Sequence, residues 1–151
     1  MQSLTGNWAG VGRGEFPTID DFEYKEALAI RTLSPDTWQY EQKTWRTTAD
    51  GEMPSHHEIG FIGVEDQETI TMASAHGLDK VEVMAGRFEE TSDGFKLILA
   101  STSLAHDERM ISSWRTWTLT ADHLHYDMGM ATKSTPNGAH HLSADLYRVS
   151  T

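Results

Sequence analysis

Short runs of alternating apolar and polar residues fill most of the chain, and turn signals separate them. The clearest run is 123–130, where one face holds Leu124, Tyr126, Met128 and Met130 and the other holds His123, His125, Asp127 and Gly129. A second run aligns Ile70, Met72, Ser74 and His76. A period of two is the pattern of half-buried β-strands, and helical periodicity is nearly absent.

These runs predict about ten strands at the spacing of an all-β protein. They cover residues 5–14, 23–33, 37–47, 56–65, 68–76, 79–90, 94–103, 110–120, 123–132 and 140–149. Turn signals lie at 34–36, 49–51, 92–94, 120–122 and 135–138. We therefore expect one domain over residues 1–151. Its fold would be a closed up-and-down antiparallel barrel with an internal ligand cavity.

The first predicted strand is rich in glycine, with Gly6, Gly10, Gly12 and Gly14 around Trp8. Glycine at every second position leaves one face of a strand bare, so another backbone or a flat ligand can approach closely. The single Trp in the run would plug one end of the barrel. The segment 16–22 is expected to form a loop or lid rather than a strand.

Charge and composition narrow the classes of partner. The formal net charge is −11, and only 12 Lys and Arg are spread along the chain, which argues against binding to nucleic acid or to an anionic membrane. The chain contains no Cys, so zinc-thiolate sites and thiol catalysis are excluded. We see no signal peptide and no membrane-spanning run, and we expect a cytoplasmic protein.

Eight histidines are the remaining chemical signal. His140 and His141 are adjacent on the last predicted strand, so only one of them can face the interior of a barrel. A neutral imidazole on a rigid strand is a good axial ligand for haem iron. Two ordinary surface histidines would give the same sequence pattern.

The other histidines do not match a zinc signature, and no hydrolase motif is present. Alternation directs one of His56 and His57 inward. It places His76 on the face of Ile70 and Met72, where His76 would either line the cavity or be an ordinary core histidine. His123 and His125 lie opposite the apolar face, which predicts a solvated pair.

The glycine run also carries a family resemblance. Residues 6–14 read GNWAGVGRG and match in full the G-x-W-x-G-x-G-x-G signature of the nitrobindin family. Further landmarks keep the family order: FPTI at 16–19, F-x-Y-x-E at 22–26, YE at 40–41, H-x-E-x-G-F at 56–61, VEV at 81–83, MAT at 130–132 and HL-x-A-x-L at 141–146. From residue 6 to residue 146 the chain resembles these fatty-acid-binding-protein-like barrels, which carry haem b.

The resemblance implies a role for several residues. His141 corresponds to the axial ligand of the haem iron, and His56 to a cavity histidine on the opposite side. Met130 and Thr18 correspond to haem contacts, and Arg109 or Lys133 would meet the propionates. The implied ligands are nitric oxide and peroxynitrite, which ferric haem isomerises to nitrate.

Two positions depart from the family pattern. Phe16 replaces a Tyr, which removes a hydroxyl but keeps the packing. His76 stands where several relatives carry Gln, so it adds a basic group to the pocket. If His76 or His56 reached the iron, the iron would be six-coordinate.

Periodicity and resemblance disagree about His141. Leu142, Ala144 and Leu146 share one face of the last strand, whereas His141 lies on the other with Ser143. If the apolar face lines the cavity, a β-bulge is needed to bring His141 inward. We follow the resemblance and predict an inward His141.

An alternative function is a non-catalytic carrier of a small hydrophobic ligand. Gly6-x-Trp8 is also the opening signature of lipocalins, in which the Trp packs near a cation from the last strand, and Arg148 would be that cation. An apo scaffold for a regulatory partner is a third hypothesis, which the sequence neither supports nor excludes. An outward apolar face would support a homodimer.

Overall fold

Alternation along the chain produces ten antiparallel strands in the computed structural model, which describes residues 2–66 and 69–149. A 3₁₀ turn at Gln2–Leu4 precedes the strands, which are β1 (Gly6–Gly14), β2 (Phe22–Ser34), β3 (Thr37–Thr48), β4 (Gly51–Val64), β5 (Thr69–His76), β6 (Lys80–Glu90), β7 (Gly94–Ala105), β8 (Met110–Thr120), β9 (His123–Thr132) and β10 (Thr135–Val149). Among the described residues, no helix is long and apolar enough to cross a membrane.

Each strand pairs with the next along the chain, and β1 pairs with β10 to close the barrel. This confirms the predicted up-and-down topology. The inward faces of β5 and β9 are those expected from alternation, since Ile70, Met72, Leu124 and Tyr126 are all buried. Within residues 2–66 and 69–149, every strand therefore has a neighbour on both sides, and the strands enclose an interior.

Two predicted boundaries were wrong. β4 begins at Gly51 rather than at residue 56, because a two-residue turn at 49–50 already reverses the chain. The predicted turn at 135–138 lies inside β10, and the reversal occurs at 133–134. Gly138 has a φ of +77°, and the β9–β10 register shifts between Thr135 and Ala139. The turn-forming residues thus produce an irregular strand. The predicted start of β5, Glu68, falls outside the described residues.

Trp8 closes one end of the barrel. It is 1% exposed, and its indole N–H donates to the Leu4 carbonyl oxygen at 3.0 Å. The Arg148 guanidinium lies 4.2 Å from the Trp8 ring centroid and donates to the carbonyl of Thr5 at 2.7 Å. The cation–Trp contact of the carrier hypothesis is therefore present, and it lies at the closed end.

The bare face of β1 accommodates aromatic rings at its other end. A Cβ on Gly12 would lie 2.1 Å from the Tyr24 ring, and one on Gly14 would lie 2.3 Å from the Phe22 ring. Both aromatic residues are the direct cross-strand partners of these glycines on β2. Glycine is needed here because the rings lie flat against the β1 backbone.

Candidate functional site

His141 lies at the open end of the barrel, where a register shift separates the pairs His140–Gly129 and Leu142–Met128. The shift leaves His141 as the extra residue on β10. Both His141 and Ala144 are therefore buried, at 2% exposure each, although strict alternation would place them on opposite faces. The structure contains the β-bulge that an inward His141 requires.

The imidazole of His141 is oriented by its own strand. Its Nδ1 lies 2.7 Å from the Ala139 carbonyl oxygen, an acceptor that requires the proton to be on Nδ1. No hydrogen-bond partner for Nε2 is found within residues 2–66 and 69–149. Burial lowers the pKa of His141 below its ordinary value, which favours the neutral ring. A neutral imidazole with a free Nε2 is the form that binds a metal.

Two adjoining cavities open at this end of the barrel. A cavity of about 360 Å³ lies beside His141, and its walls include Phe16, Pro17, Thr18, Arg109, Met110, Met130 and Lys133. A cavity of about 250 Å³ reaches His56 and His76 on the opposite wall. They share Phe16, Asp107, Arg109, Met110 and Met130 as walls. Each of the seven residues named from the sequence therefore lines one or both of these adjoining cavities.

Phe16 lies between the two sides of this space. Its ring centroid is 4.8 Å from that of His141 in an edge-on arrangement, and it stacks with Phe22 at 6.0 Å. The segment between β1 and β2 that carries Phe16 is not a strand, as expected. Glu15 fixes its start, because its backbone N–H donates to the His141 carbonyl oxygen at 2.7 Å.

Two cationic side chains, Arg109 and Lys133, lie at the mouth of the cavity. Arg109 is largely exposed and forms a two-bond pair with Asp107, with both N–O distances at 2.9 Å. Lys133 is exposed, and its backbone N–H donates to the Arg109 carbonyl oxygen at 2.9 Å. The two cationic residues are thus held on adjacent strand ends beside His141.

Opposite His141, the wall is polar. His76 is 5% exposed, whereas the side chain of His56 is 40% exposed. His76 Nδ1 lies 3.3 Å from His56 Nε2 and 3.3 Å from Glu58 Oε2. His57 points outward and pairs with Glu41 at 2.9 Å, so His56 is the inward member of the pair.

A buried ion-pair network lies behind this wall. Arg115 donates two hydrogen bonds to Glu58, at 2.9 and 3.2 Å, and its Nη2 lies 3.8 Å from Glu82. Tyr40 donates to Glu58, and Ser113 donates to Glu82. Burial alone would raise the pKa values of both carboxyls. Arg115, His56 and His76 nevertheless hold the pKa of Glu58 well below its usual range. His76 and Lys80 lower the pKa of Glu82 to about 2.

A second network occupies the neighbouring layer. Tyr126 donates to Glu26 at 2.6 Å, and the Gln42 amide donates to the same carboxylate at 2.9 Å. Tyr24 lies 2.7 Å from Tyr126, hydroxyl to hydroxyl. Burial raises the pKa of Glu26 to about 7, against these two hydrogen bonds. Protonation of Glu26 is thus sensitive to pH near neutrality.

Three further histidines lie on the outer face of the sheet. His123 and His125 share Asp145, at 2.8 and 2.9 Å, and His140 pairs with Asp127 at 3.0 Å. This is the solvated arrangement that alternation predicts for His123 and His125, and it identifies His140 as the outward neighbour of His141.

Sequence reasoning did not find the carboxylates and the cation of the buried network. Glu58, Glu82 and Arg115 are all buried on inward faces; Glu82 and Arg115 lie between buried residues, and Glu58 is the first buried position of its strand. A charged residue at an inward position of an alternating strand was the available signal. Phe16 was named for the FPTI landmark, the expected loop and the departure from the family pattern, but its contact with His141 was not foreseen.

Comparisons with known proteins agree with this geometry. Residues 1–148 match the family described as THAP4-like, heme-binding beta-barrel domain. The chain is 31% identical over 153 residues to peroxynitrite isomerase 2 of Mycobacterium ulcerans. The aligned region covers 99% of this chain and 93% of the relative. It is 31% identical over 151 residues to peroxynitrite isomerase of Mycobacterium leprae, covering 98% and 92%.

A solved structure has the same architecture. The crystal structure of Rv2717c from M. tuberculosis superimposes with a TM-score of 0.89 at 29% sequence identity. The match covers 98% of this chain and 94% of that chain. The ten-stranded closed barrel is therefore shared over nearly the full length of both proteins.

Proposed function

Because the chain belongs to the nitrobindin family of THAP4-like haem-binding β-barrel domains, we propose that it holds one haem b through His141 and isomerises peroxynitrite to nitrate. Nitric oxide is the second small ligand that we assign to the same position. Ferric haem, when bound, supplies a Lewis-acidic iron with one open position for these ligands. The isomerisation rearranges one anion and needs no second substrate.

The observation that carries the proposal is the state of His141. The ring is buried, it keeps a proton on Nδ1 against the Ala139 carbonyl oxygen, and it leaves Nε2 free. Binding of an iron ion through Nε2 needs this tautomer, and the hydrogen bond from Nδ1 fixes the direction of the ring.

The walls beside His141 fit a large flat cofactor with an acidic edge. Met110, Met130 and Phe16 offer polarisable and apolar surface, and Thr18 lies on the same wall. Arg109 and Lys133 supply positive charge at the mouth, where propionates would meet solvent. The same two cations would attract an anionic substrate locally, which matters because the net charge of −11 repels it at long range.

The alternative function, a carrier of a small hydrophobic ligand, fits the cavity less well. The carrier needs an apolar interior, but His56, Glu58, His76 and Lys80 line the inner cavity. The Trp8–Arg148 contact lies at the closed end and does not distinguish the two functions. A homodimer and a cytoplasmic location both stay predictions.

Titration of the full chain with haemin tests the proposal. We expect a saturable Soret band at one haem per chain, of the high-spin five-coordinate type. His141→Ala should lose the band, whereas His140→Ala, which removes the outward neighbour, should keep it. Thermal melting of both haem-free variants controls for folding.

Equal haemin binding by His141→Ala would overturn the ligand assignment. A low-spin spectrum of the wild type would show a second nitrogen on the iron and overturn the open position. Co-purified fatty acid with no saturable Soret band would favour the carrier. If haem binds as expected, peroxynitrite should decay to nitrate faster when it is rapidly mixed with the haem-loaded wild type than with the haemin-treated His141→Ala variant.

A further inference from the structure

Three metal-binding atoms meet on the wall opposite His141. His56 Nε2 lies 3.3 Å from His76 Nδ1 and 3.5 Å from Glu58 Oε2, and the third side of the triangle, from His76 Nδ1 to Glu58 Oε2, is 3.3 Å. The three atoms thus form a nearly equilateral triangle. Within the described ranges, 2–66 and 69–149, this is the one group of three such residues close enough to hold an ion.

The size of the triangle distinguishes between coordination geometries. In a tetrahedral zinc site with bonds of about 2.05 Å, neighbouring ligand atoms lie about 3.35 Å apart. In an octahedral site with bonds of about 2.1 Å, three ligands on one face lie about 3.0 Å apart. The observed sides of 3.3, 3.3 and 3.5 Å match the tetrahedron.

The orientation of His76 suits a ligand. Its Nε2 lies 3.1 Å from the Ser74 hydroxyl and 3.4 Å from Glu82 Oε2, and a carboxylate accepts but does not donate when ionised. A proton on Nε2 leaves the Nδ1 lone pair directed at the triangle. This is the carboxylate–histidine–metal arrangement, in which an outer carboxylate orients the ligating ring.

Glu58 is fixed from the side away from the cavity. Arg115 donates to both of its oxygens, and Tyr40 donates to Oε1. Oε2 therefore carries one hydrogen bond from Arg115, at 3.2 Å, and keeps a lone pair for an ion. The charge of Arg115 is already opposed by two carboxylates, Glu58 and Glu82, so a cation at the triangle meets a balanced rather than a positive surrounding.

The fourth vertex of the tetrahedron is open. His56, the most exposed of the three, borders the cavity of about 250 Å³, which also contacts Glu58 and His76. A space of this size has room for a water molecule on the ion and for a path from solvent. Three protein ligands with one open position is the pattern of catalytic zinc sites.

We propose that His56, Glu58 and His76 bind a divalent transition-metal cation of the zinc class, with its open position facing the cavity. His141, the proposed haem ligand, is not one of the three, and the zinc site is proposed for the haem-free chain, since the two sites face adjoining cavities. His76 completes the set, and it is one of the two positions that depart from the family pattern.

Zinc binding to the full chain tests the proposal. After equilibrium dialysis against ZnCl₂, metal analysis should give one Zn²⁺ per chain. His76→Gln and His56→Gln should each weaken binding by at least about 10-fold. His57→Gln is the matched control, since it removes an outward histidine next to His56 and should leave zinc affinity unchanged. X-ray absorption at the zinc edge should show two imidazole nitrogens and two oxygens.

Three results would overturn the site. Absence of stoichiometric zinc is the first. Equal zinc affinity in His56→Gln is the second. Because His56 is exposed, a loss of affinity in this variant is not explained by misfolding. Loss of zinc in His125→Gln rather than in His76→Gln would move the ion to the outer His–Asp pairs and is the third. Zinc binding is measured on the haem-free chain, and the His141→Ala variant should keep its zinc affinity while it loses the Soret band, so either proposal can fail without the other.

Discussion

The Nδ1 of His141 and the carbonyl oxygen of Ala139 lie 2.7 Å apart on the irregular part of β10. The contact joins a side chain to the backbone carbonyl two residues earlier on the same strand. It forms where the register of β10 is irregular. The bulge therefore provides the inward direction of the ring and the acceptor that selects its tautomer.

This contact predicts a selective chemical rescue. In His141→Gly, imidazole should restore the Soret band by occupying the vacated space. We expect 4-methylimidazole, which keeps an N–H, to bind about 2- to 10-fold more tightly than N-methylimidazole, which has none, because only the former can donate to the Ala139 carbonyl. Spectral titration of the variant with each ring, in the presence of one equivalent of haemin, measures both affinities. Equal rescue by the two methylated rings would show that the Ala139 contact adds nothing to ligand binding.

The Asp107–Arg109 pair predicts a gain of haem affinity on removal of an acid. Arg109 forms both of its close hydrogen bonds with Asp107, which holds the pKa of that carboxyl below its usual range. Asp107→Asn should release positive charge toward the propionates and tighten haemin binding roughly two- to five-fold at low ionic strength. The gain should shrink in 0.5 M salt, since exposed charges are screened.

Arg109→Ala in the same titration is the counterpart and should weaken haemin binding. If Asp107→Asn also weakens it, the role of the pair is to hold the cavity mouth in shape rather than to limit the available charge.

Glu26 predicts a pH-dependent stability. Its pKa is about 7 in the folded chain against an ordinary value of 4.5, because burial disfavours the carboxylate. The stability linked to its proton is fully present below about pH 4.5 and is lost as the pH rises through about 7, a loss of up to about 3 kcal/mol. Glu26→Gln removes this dependence.

Urea unfolding of the haem-free wild type and of Glu26→Gln, at about pH 5 and about pH 8, measures the difference. All other titrating groups are common to both proteins, so the wild type should lose more unfolding free energy between the two pH values than the variant does. Parallel losses would mean that Glu26 titrates at its ordinary pKa.

Arg115 predicts a large cost of truncation. The guanidinium is 2% exposed and faces Glu58 and Glu82. Arg115→Ala should lower the free energy of unfolding by about 3–5 kcal/mol, because two buried carboxylates lose their main counter-charge. Arg13→Ala, which removes exposed pairs with Glu15 and Asp21, should leave the urea midpoint nearly unchanged. A small effect of Arg115→Ala would show that water enters the network and replaces the cation.

Alternation alone predicted most of the fold and one wall of the site. On β9 the period of two holds from Leu124 to Met128, so the inward face could be assigned from the sequence. His76 on β5 was placed inward for the same reason, and it is buried. In a regular strand, successive side chains point to opposite faces of the sheet, so the direction of each side chain can be predicted from the sequence.

The C-terminal strand shows where that rule ends. One extra residue at a bulge reverses the face of every position that follows, and no local pattern marks where it is inserted. The family resemblance, not periodicity, predicted an inward His141. The Pro136–Gly138 segment carries ordinary turn residues, and only the pairing of Thr135 with Thr132 shows that the chain has already reversed.

Closure of the barrel between β1 and β10 joins parts of the chain that are far apart in sequence. His141 lies on β10, whereas its neighbours Phe16 and Thr18 lie in the segment that follows β1. A folding chain in which β10 has not yet paired with β1 therefore has neither an inward His141 nor a closed cavity. Under the proposed function, haem capture would follow the pairing of these two strands.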